Sequence, residues 1–183
     1  SFEYALPEET TTEELLELVE KLNNDDNVDG ILCQLPLPKQ IDEKKVLNAI
    51  VPHKDVDAFH PVNTGHIMIG DHSFLPCTPA GIMEMLKYEG IEVAGKNCVV
   101  IGRSNIVGKP VAALLARKET NATVTLCHTG TPDVGHFTRD ADIVVVAAGR
   151  PNTLTGDMLK EGAVVIDVGV NRIPDSTKPK GFR

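Results

Sequence analysis

Leu15, Leu18, Val19 and Leu22 recur at intervals of three and four, the spacing that lines one face of a helix. Thr11 and Glu14 stand ahead of them as a capping-box pair, and the polar run 23–26 closes the segment. Residues 2–6 alternate apolar and polar, which predicts a short strand and, because the chain opens directly on it, residues upstream of Ser1. Residues 28–35 are apolar except for Asp29, Gly30 and Gln34, and read as a buried strand running into a loop stiffened by Pro36 and Pro38. Val46, Leu47 and Ile50 mark a short amphipathic helix over residues 42–50. Residues 52–61 follow neither period. Thr78 and Pro79 offer an N-cap and a first helical position; Ile82, Met85 and Leu86 would form the buried face of that helix, with Gly90 just past its end.

Beyond residue 90 the rhythm changes. Continuous apolar runs at 98–101, 123–127, 143–147 and 164–168 predict strands, and the segments 110–117, 133–138 and 155–159 between them predict helices. Such alternation implies a parallel sheet with right-handed crossovers. Unbroken apolar strands suit a sheet covered on both faces, with ligands at the carboxyl ends of the strands. The fold class is therefore α/β: a Rossmann-like parallel-sheet domain and a smaller α/β domain. The boundary falls near Thr78, giving residues 1–77 and 78–183.

Composition narrows the function. The chain has 183 residues, 42% of them hydrophobic, and a formal net charge of −8. That charge argues against a nucleic-acid-binding surface but leaves local anion sites open. No apolar run approaches the roughly 20 residues of a membrane span, and no secretory signal opens the chain. Cys33, Cys77, Cys98 and Cys127 form no C-x-x-C pair; they read as thiols in a reducing compartment. The six histidines lack zinc spacing, so no metal site is expected.

The stretch from Asn97 to Pro110 carries the strongest chemistry. A strand runs into a turn bounded by Gly102 and Gly108 and then into a helix, an order that aims backbone N–H groups at a phosphate. Its G-x-x-x-x-x-G spacing departs from the usual dinucleotide fingerprint and is weak alone. The second strand ends in Leu126-Cys127-His128-Thr129-Gly130-Thr131, without the acid that would hold a ribose 2′-hydroxyl. Arg103 and the hydroxyls of Ser104, Thr129 and Thr131 suit a 2′-phosphate instead, which favours NADP over NAD; the plain alternative for Arg103 is a surface ion pair. Gly149 and Gly169, after the third and fourth strands, would let the backbone line the nicotinamide side. Gln34 reads either as a hydrogen-bonded core amide or as a strand-end group facing a cleft. Residues 52–61 read either as a solvated loop or as a substrate loop in which one carboxylate meets a heterocycle.

Taken in order, Asp29-Gly30-Ile31-Leu32-Cys33-Gln34-Leu35-Pro36-Leu37-Pro38, Lys54-Asp55-Val56-Asp57, Pro76-Cys77-Thr78-Pro79, the Gly102-to-Pro110 turn and Ile166-Asp167-Val168-Gly169-Val170-Asn171-Arg172 resemble successive motifs of one family. It is the bifunctional methylenetetrahydrofolate dehydrogenase/methenyltetrahydrofolate cyclohydrolase family. The resemblance spans nearly the whole chain. It implies a folate-binding catalytic domain over residues 1–77, an NADP-binding domain over 78–183, a cleft between them, and a cytoplasmic homodimer acting in one-carbon metabolism that feeds purine biosynthesis. It also implies oxidation of 5,10-methylenetetrahydrofolate with NADP+ and hydrolysis of the methenyl product to 10-formyltetrahydrofolate. By the same resemblance Gln34 lies beside a catalytic lysine, Asp57 binds the pterin end of the folate, and Gly102, Arg103, Ser104, Thr129 and Val170 bind NADP.

Two family features have no match. The tyrosine-x-x-x-lysine helix that supplies the catalytic lysine does not occur here, since neither Tyr4 nor Tyr88 has a lysine four residues on. The glycine- and proline-rich folate loop does not follow Arg183. The expectation is that these residues are part of a longer chain. Lacking the lysine, they would lose cyclohydrolysis before hydride transfer; the alternative is a catalytically silent NADP- and folate-binding fragment.

Overall fold

A computed structural model describes residues 1–171 together with Pro174 and Thr177. Two compact units are present, Ser1–Cys77 and Thr78–Arg183.

In the first unit, α1 (Thr12–Asn23) begins at Thr11, whose hydroxyl accepts the Glu14 N–H while the Glu14 carboxylate accepts the Thr11 N–H. The predicted capping box is therefore formed, satisfying two donors that a helix start would leave open. Helix α2 (Glu43–Ala49) is capped by Asp42, and α3 (Pro61–Ile69) by His60 with Pro61 in its first turn and Gly70 left-handed at its end. Val19, Ile31, Ile41, Val46 and Ile50 form the core here.

Neither strand predicted for this unit is present. Residues 2–6 are exposed coil, with Phe2 at 77% exposure, because alternation makes a strand only where a partner strand accepts the backbone. The segment 28–35 makes one parallel bridge, Ile31 to Asp55. Its partner is a succession of turns, so the ladder stops after a single pair. The segment nonetheless behaves like a strand in its packing: residues 31, 33, 35 and 37 turn inward, while 32, 34, 36 and 38 are exposed.

In the second unit, α4 (Cys77–Tyr88) starts one residue before the expected cap. Ile82 and Leu86 are buried, but Met85 is 52% exposed. The buried stripe is turned toward Pro79 and Met83 instead, one side of the helix away from Met85. Gly90 is left-handed past the helix end, and the Ile91 N–H returns to the Leu86 carbonyl as the cap requires. Strands β1 (Asn97–Ile101), β2 (Thr123–Cys127), β3 (Ile143–Val146) and β4 (Val164–Asp167) form one parallel sheet in the order β2-β1-β3-β4. The two inner strands are buried almost throughout, whereas β2 and β4 at the edges are half-buried. Full coverage of both faces thus holds for the centre of the sheet alone. Helices α5 (Gly108–Ala116) and α6 (Val134–Thr138) follow β1 and β2. The helix expected over 155–159 is a single 3₁₀ turn, Gly156–Met158. Thr138 Oγ1 donates to the Met158 carbonyl at 2.7 Å and holds that turn against α6. All four cysteines are free thiols; Cys98 and Cys127 are buried, Cys33 is half-buried and Cys77 exposed. Among the described residues no helix is long and apolar enough to cross a membrane.

Candidate functional site

In the second unit the register does the positioning. Ile101 pairs with Cys127 on one side and Val146 on the other, and Val146 pairs with Asp167. All four strands therefore end level. The turns that leave them, at Gly102, His128, Ala147 and Val168, emerge side by side from one edge of the sheet. Gly102 N–H donates to the Cys127 carbonyl at 2.8 Å, Ala147 N–H to that of Ile101 at 2.8 Å, and Val168 N–H to that of Val146 at 3.0 Å.

Gly102 is required twice over. Its φ is +120°, and a Cβ there would collide with the Ala147 carbonyl. A Cβ at Gly108 would collide with the Gly102 carbonyl, so Gly108 serves the approach of α5 to the turn of its own chain. A Cβ at Gly169 would meet the Ala148 carbonyl, whereas Gly149 has open space around it.

The donors at this edge are not those of the helix start. Val107 and Gly108 N–H groups donate to Ser104 Oγ at 3.1 and 3.2 Å, and Lys109 N–H to the Ser104 carbonyl at 3.0 Å. Ser104 thus occupies the first-turn donors of α5, leaving its own hydroxyl proton available. The turn ahead of the helix is where free donors lie: the N–H groups of Arg103, Asn105 and Ile106 find no acceptor among the described residues. Arg103 is exposed and makes no ion pair or side-chain hydrogen bond there, so the surface ion pair is not formed. Thr129 is exposed, and Val170 is 88% exposed. Thr131, expected to offer a hydroxyl donor, is engaged internally: its oxygen accepts the His128 N–H at 3.0 Å, and a hydrogen bond from it lowers the Cys127 thiol against the larger upward effect of burial. Asn171 is half-buried, and the Arg172 that ends the last motif lies outside the described residues.

In the first unit, side chains do the positioning. Lys54 is 7% exposed, and its ammonium donates to the carbonyls of Leu22, Asn23 and Asp25 at 3.1, 2.8 and 2.9 Å, a cation on the open carbonyls of the α1 C-terminus. Asp55 is 2% exposed and accepts from the His60 N–H at 2.8 Å and from Asn63 Nδ2 at 2.9 Å. A wholly solvated loop is therefore ruled out for residues 52–61. Asp57 is half-buried, and no hydrogen bond reaches it among the described residues. Burial first, and the Asp55 charge second, push its carboxyl above the usual range. Gln34 is exposed, with Nε2 donating to the Leu35 carbonyl at 3.2 Å, so it is not a core amide. The Ile31–Asp55 bridge runs the Gln34 segment alongside the Asp57 loop. Asp57 is near enough to raise the Cys33 thiol, after burial and Glu43.

The expected residues thus gather in two places, Gln34 and Asp57 in one unit and Gly102, Arg103, Ser104, Thr129 and Val170 in the other. Sequence reasoning missed α3 and with it Asn63. The pair His60-Pro61, a cap followed by a proline suited to the first turn, was the signal for that helix.

Comparison with known proteins matches two stretches of the chain. The tetrahydrofolate dehydrogenase/cyclohydrolase catalytic-domain family matches residues 1–57, and the tetrahydrofolate dehydrogenase/cyclohydrolase NAD(P)-binding-domain family matches residues 76–181. The bifunctional protein FolD of Acetivibrio thermocellus is 62% identical over 173 residues, 94% of this chain and 60% of that protein. The crystal structure of the Trypanosoma brucei methylenetetrahydrofolate dehydrogenase-cyclohydrolase, complexed with NADP cofactor and inhibitor, superposes with a TM-score of 0.89 at 43% identity, covering 97% of this chain and 61% of that one. The NAD-dependent 5,10-methylenetetrahydrofolate dehydrogenase of Saccharomyces cerevisiae reaches a TM-score of 0.73 at 25% identity, covering 87% and 64%. The chain spans about 60% of the length of the FolD relatives it matches. On these matches, which run through both units, the chain belongs to the tetrahydrofolate dehydrogenase/cyclohydrolase family.

Proposed function

We propose that this chain carries the folate and NADP contacts of an enzyme that oxidises 5,10-methylenetetrahydrofolate to the methenyl compound and hydrolyses that product to 10-formyltetrahydrofolate. The observation that carries the reading is the level ending of the four strands, which gathers Gly102, Arg103, Ser104, Thr129 and Val170 at one sheet edge. The residues present fit the dinucleotide. The turn at Gly102 admits no Cβ, and among the described residues the N–H groups of Arg103, Asn105 and Ile106 are open and the Arg103 guanidinium has no partner. Arg103 and Ser104 would grip the 2′-phosphate, with Thr129 adding a hydroxyl, and Val170 would stand near the nicotinamide. NADP+, when bound, accepts the hydride.

On the folate side, Asp57 supplies two carboxylate oxygens that no donor among the described residues occupies, the arrangement that a pterin with adjacent N–H donors can meet through paired hydrogen bonds. Gln34 offers an exposed amide next to the segment that pairs with that loop. Hydride transfer asks the protein mainly for orientation and exclusion of water. Cyclohydrolysis asks for proton movement as a C–N bond breaks, worth roughly 10² to 10⁴ in rate from a positioned acid or base. That is the step for which these 183 residues lack the family's lysine. A cytoplasmic homodimer is the assembly expected from the resemblance.

An absorbance assay with methylenetetrahydrofolate and NADP+, following NADPH and the methenyl chromophore together, tests the reading. NADPH formation with accumulating methenyl compound is the expected result for this chain. Absence of both signals, together with no saturable binding of NADP+ or tetrahydrofolate, would overturn it.

A further inference from the structure

The loop carrying Asp57 is built with more constraint than its length requires. Ala58, the next residue, has φ +55° and is 2% exposed. Alanine, which has no side-chain group to favour that left-handed region, sits there at a cost that its surroundings must offset. Those surroundings are polar and specific. Asn63 Nδ2 donates both to the Pro52 carbonyl and to Asp55 Oδ2, each at 2.9 Å, tying the start of the loop to α3. The His60 N–H closes on the same carboxylate oxygen at 2.8 Å, and the Ala58 N–H donates to the Asp55 carbonyl at 3.3 Å. On the other side the Lys54 carbonyl accepts the Ile31 N–H at 2.7 Å. Asp55 is thus tied on both sides of the turn, whereas the Asp57 carboxylate, at its bend, has no hydrogen bond among the described residues.

We propose that Asn63 and Asp55 are positioning residues for Asp57: Asn63 locks Asp55, Asp55 spans the turn to His60, and the strained Ala58 between them holds the Asp57 carboxylate in one orientation. The inference rests on the reading of Asp57 as the folate contact. It goes beyond that reading by assigning the affinity of the site to two residues that need not touch the ligand. The groups whose charge reaches Asp57 or its neighbour Cys33 are Asp55, from the same loop, and Glu43, from α2.

The test is calorimetric titration of the full chain with tetrahydrofolate and, separately, with NADP+, for Asp57→Ala, Asn63→Ala and Asp55→Asn. Asn63→Ala is expected to weaken tetrahydrofolate about tenfold or more, since a displacement near 1 Å costs a site on that order, while NADP+ affinity is unchanged. Asp55→Asn keeps an acceptor oxygen for Asn63 and His60 but removes the charge. Tetrahydrofolate binding then persists, and the acid limb of its pH profile moves to lower pH, because Asp57 is released from the Asp55 field; a purely structural role would not move that limb. If Asp57→Ala abolishes binding and a folded Asn63→Ala retains wild-type affinity, the positioning role is overturned and the folate reading stands. If Asn63→Ala does not fold, the pH profile of Asp55→Asn decides, and an unmoved acid limb overturns the proposal. If Asp57→Ala binds tetrahydrofolate as the wild type does, both readings fall.

Discussion

The turn at Gly102 and the loop at Asp57 differ in what holds them. The first hangs from the end of a buried parallel strand, where hydrogen-bond register with two neighbours sets its place and the absence of a side chain makes room for it. The second has no sheet to hang from and is fixed by a buried ammonium, a buried carboxylate and an amide. A backbone-positioned site tolerates change in its side chains but not in its glycines. A site positioned by side chains is fragile at each polar group, because removing one partner leaves another buried and unsatisfied.

Substitutions at the two places break this contrast in order of size. Gly108→Ala drives a Cβ into the Gly102 carbonyl, an obstacle that no rotamer change removes; it should destabilise the chain by about 3 kcal/mol. Urea denaturation measures this, and a midpoint equal to the wild type would mean that α5 is free to move off the turn. Lys54→Met removes the cation from three carbonyls at the end of α1 and should cost about 2 kcal/mol by the same measurement. A neutral outcome would show that water replaces the ammonium there. Arg103→Ala should leave stability within about 0.5 kcal/mol, since the side chain is exposed and has no partner among the described residues. It should lower NADP+ affinity about tenfold, the worth of a charge-assisted hydrogen bond, without changing that for NAD+. Equal losses for both nucleotides would remove Arg103 from the 2′-phosphate.

The smaller effects concern titration. The Asp57 carboxyl is raised in the fold, so between its ordinary and its folded value the native state holds a proton that the unfolded chain has lost. Stability therefore falls as pH rises through that window. Asp57→Asn should be more stable than the wild type at pH 7, with the difference closing below the ordinary carboxylate range, while folate binding is lost. Thermal melts at several pH values check the first part; a destabilised variant at pH 7 would mean that Asp57 is satisfied in the fold. Burial, with Asp142 as a lesser cause, pushes the Cys98 thiol up to about 11. Alkylation of the native chain at pH 8 should mark exposed Cys77 and spare Cys98, read by peptide mass; equal labelling would place β1 in ready exchange with an open form.

What could be read in advance follows the same division. The strands of the second unit were legible as unbroken apolar runs, and the cap of α1 as Thr11 and Glu14, because each is decided by residues a few positions apart. Residues 2–6 and 28–35 carried strand patterns as good as those of the sheet. They failed because a strand is a property of its partner, and among the described residues Asp55 was the one partner the second segment found. Met85 was misassigned because helical spacing fixes a stripe's width but not which neighbour it faces. Thr131 looked like a free donor until the turn brought the His128 N–H and the Cys127 sulfur to it.

The sequence by itself determined the parallel α/β unit, the glycine turn at 102 and the family motifs, since periodicity, steric allowance and motif order act locally along the chain. The tertiary structure alone decided that Lys54 is a helix cap rather than a surface charge, that Ser104 closes α5 and leaves the free donors in the turn ahead of it, and that Asn63 reaches back to Pro52 and Asp55. Each depends on a polar atom finding its partner across a fold, and hydrogen-bond geometry at about 3 Å is set by packing that no local pattern records.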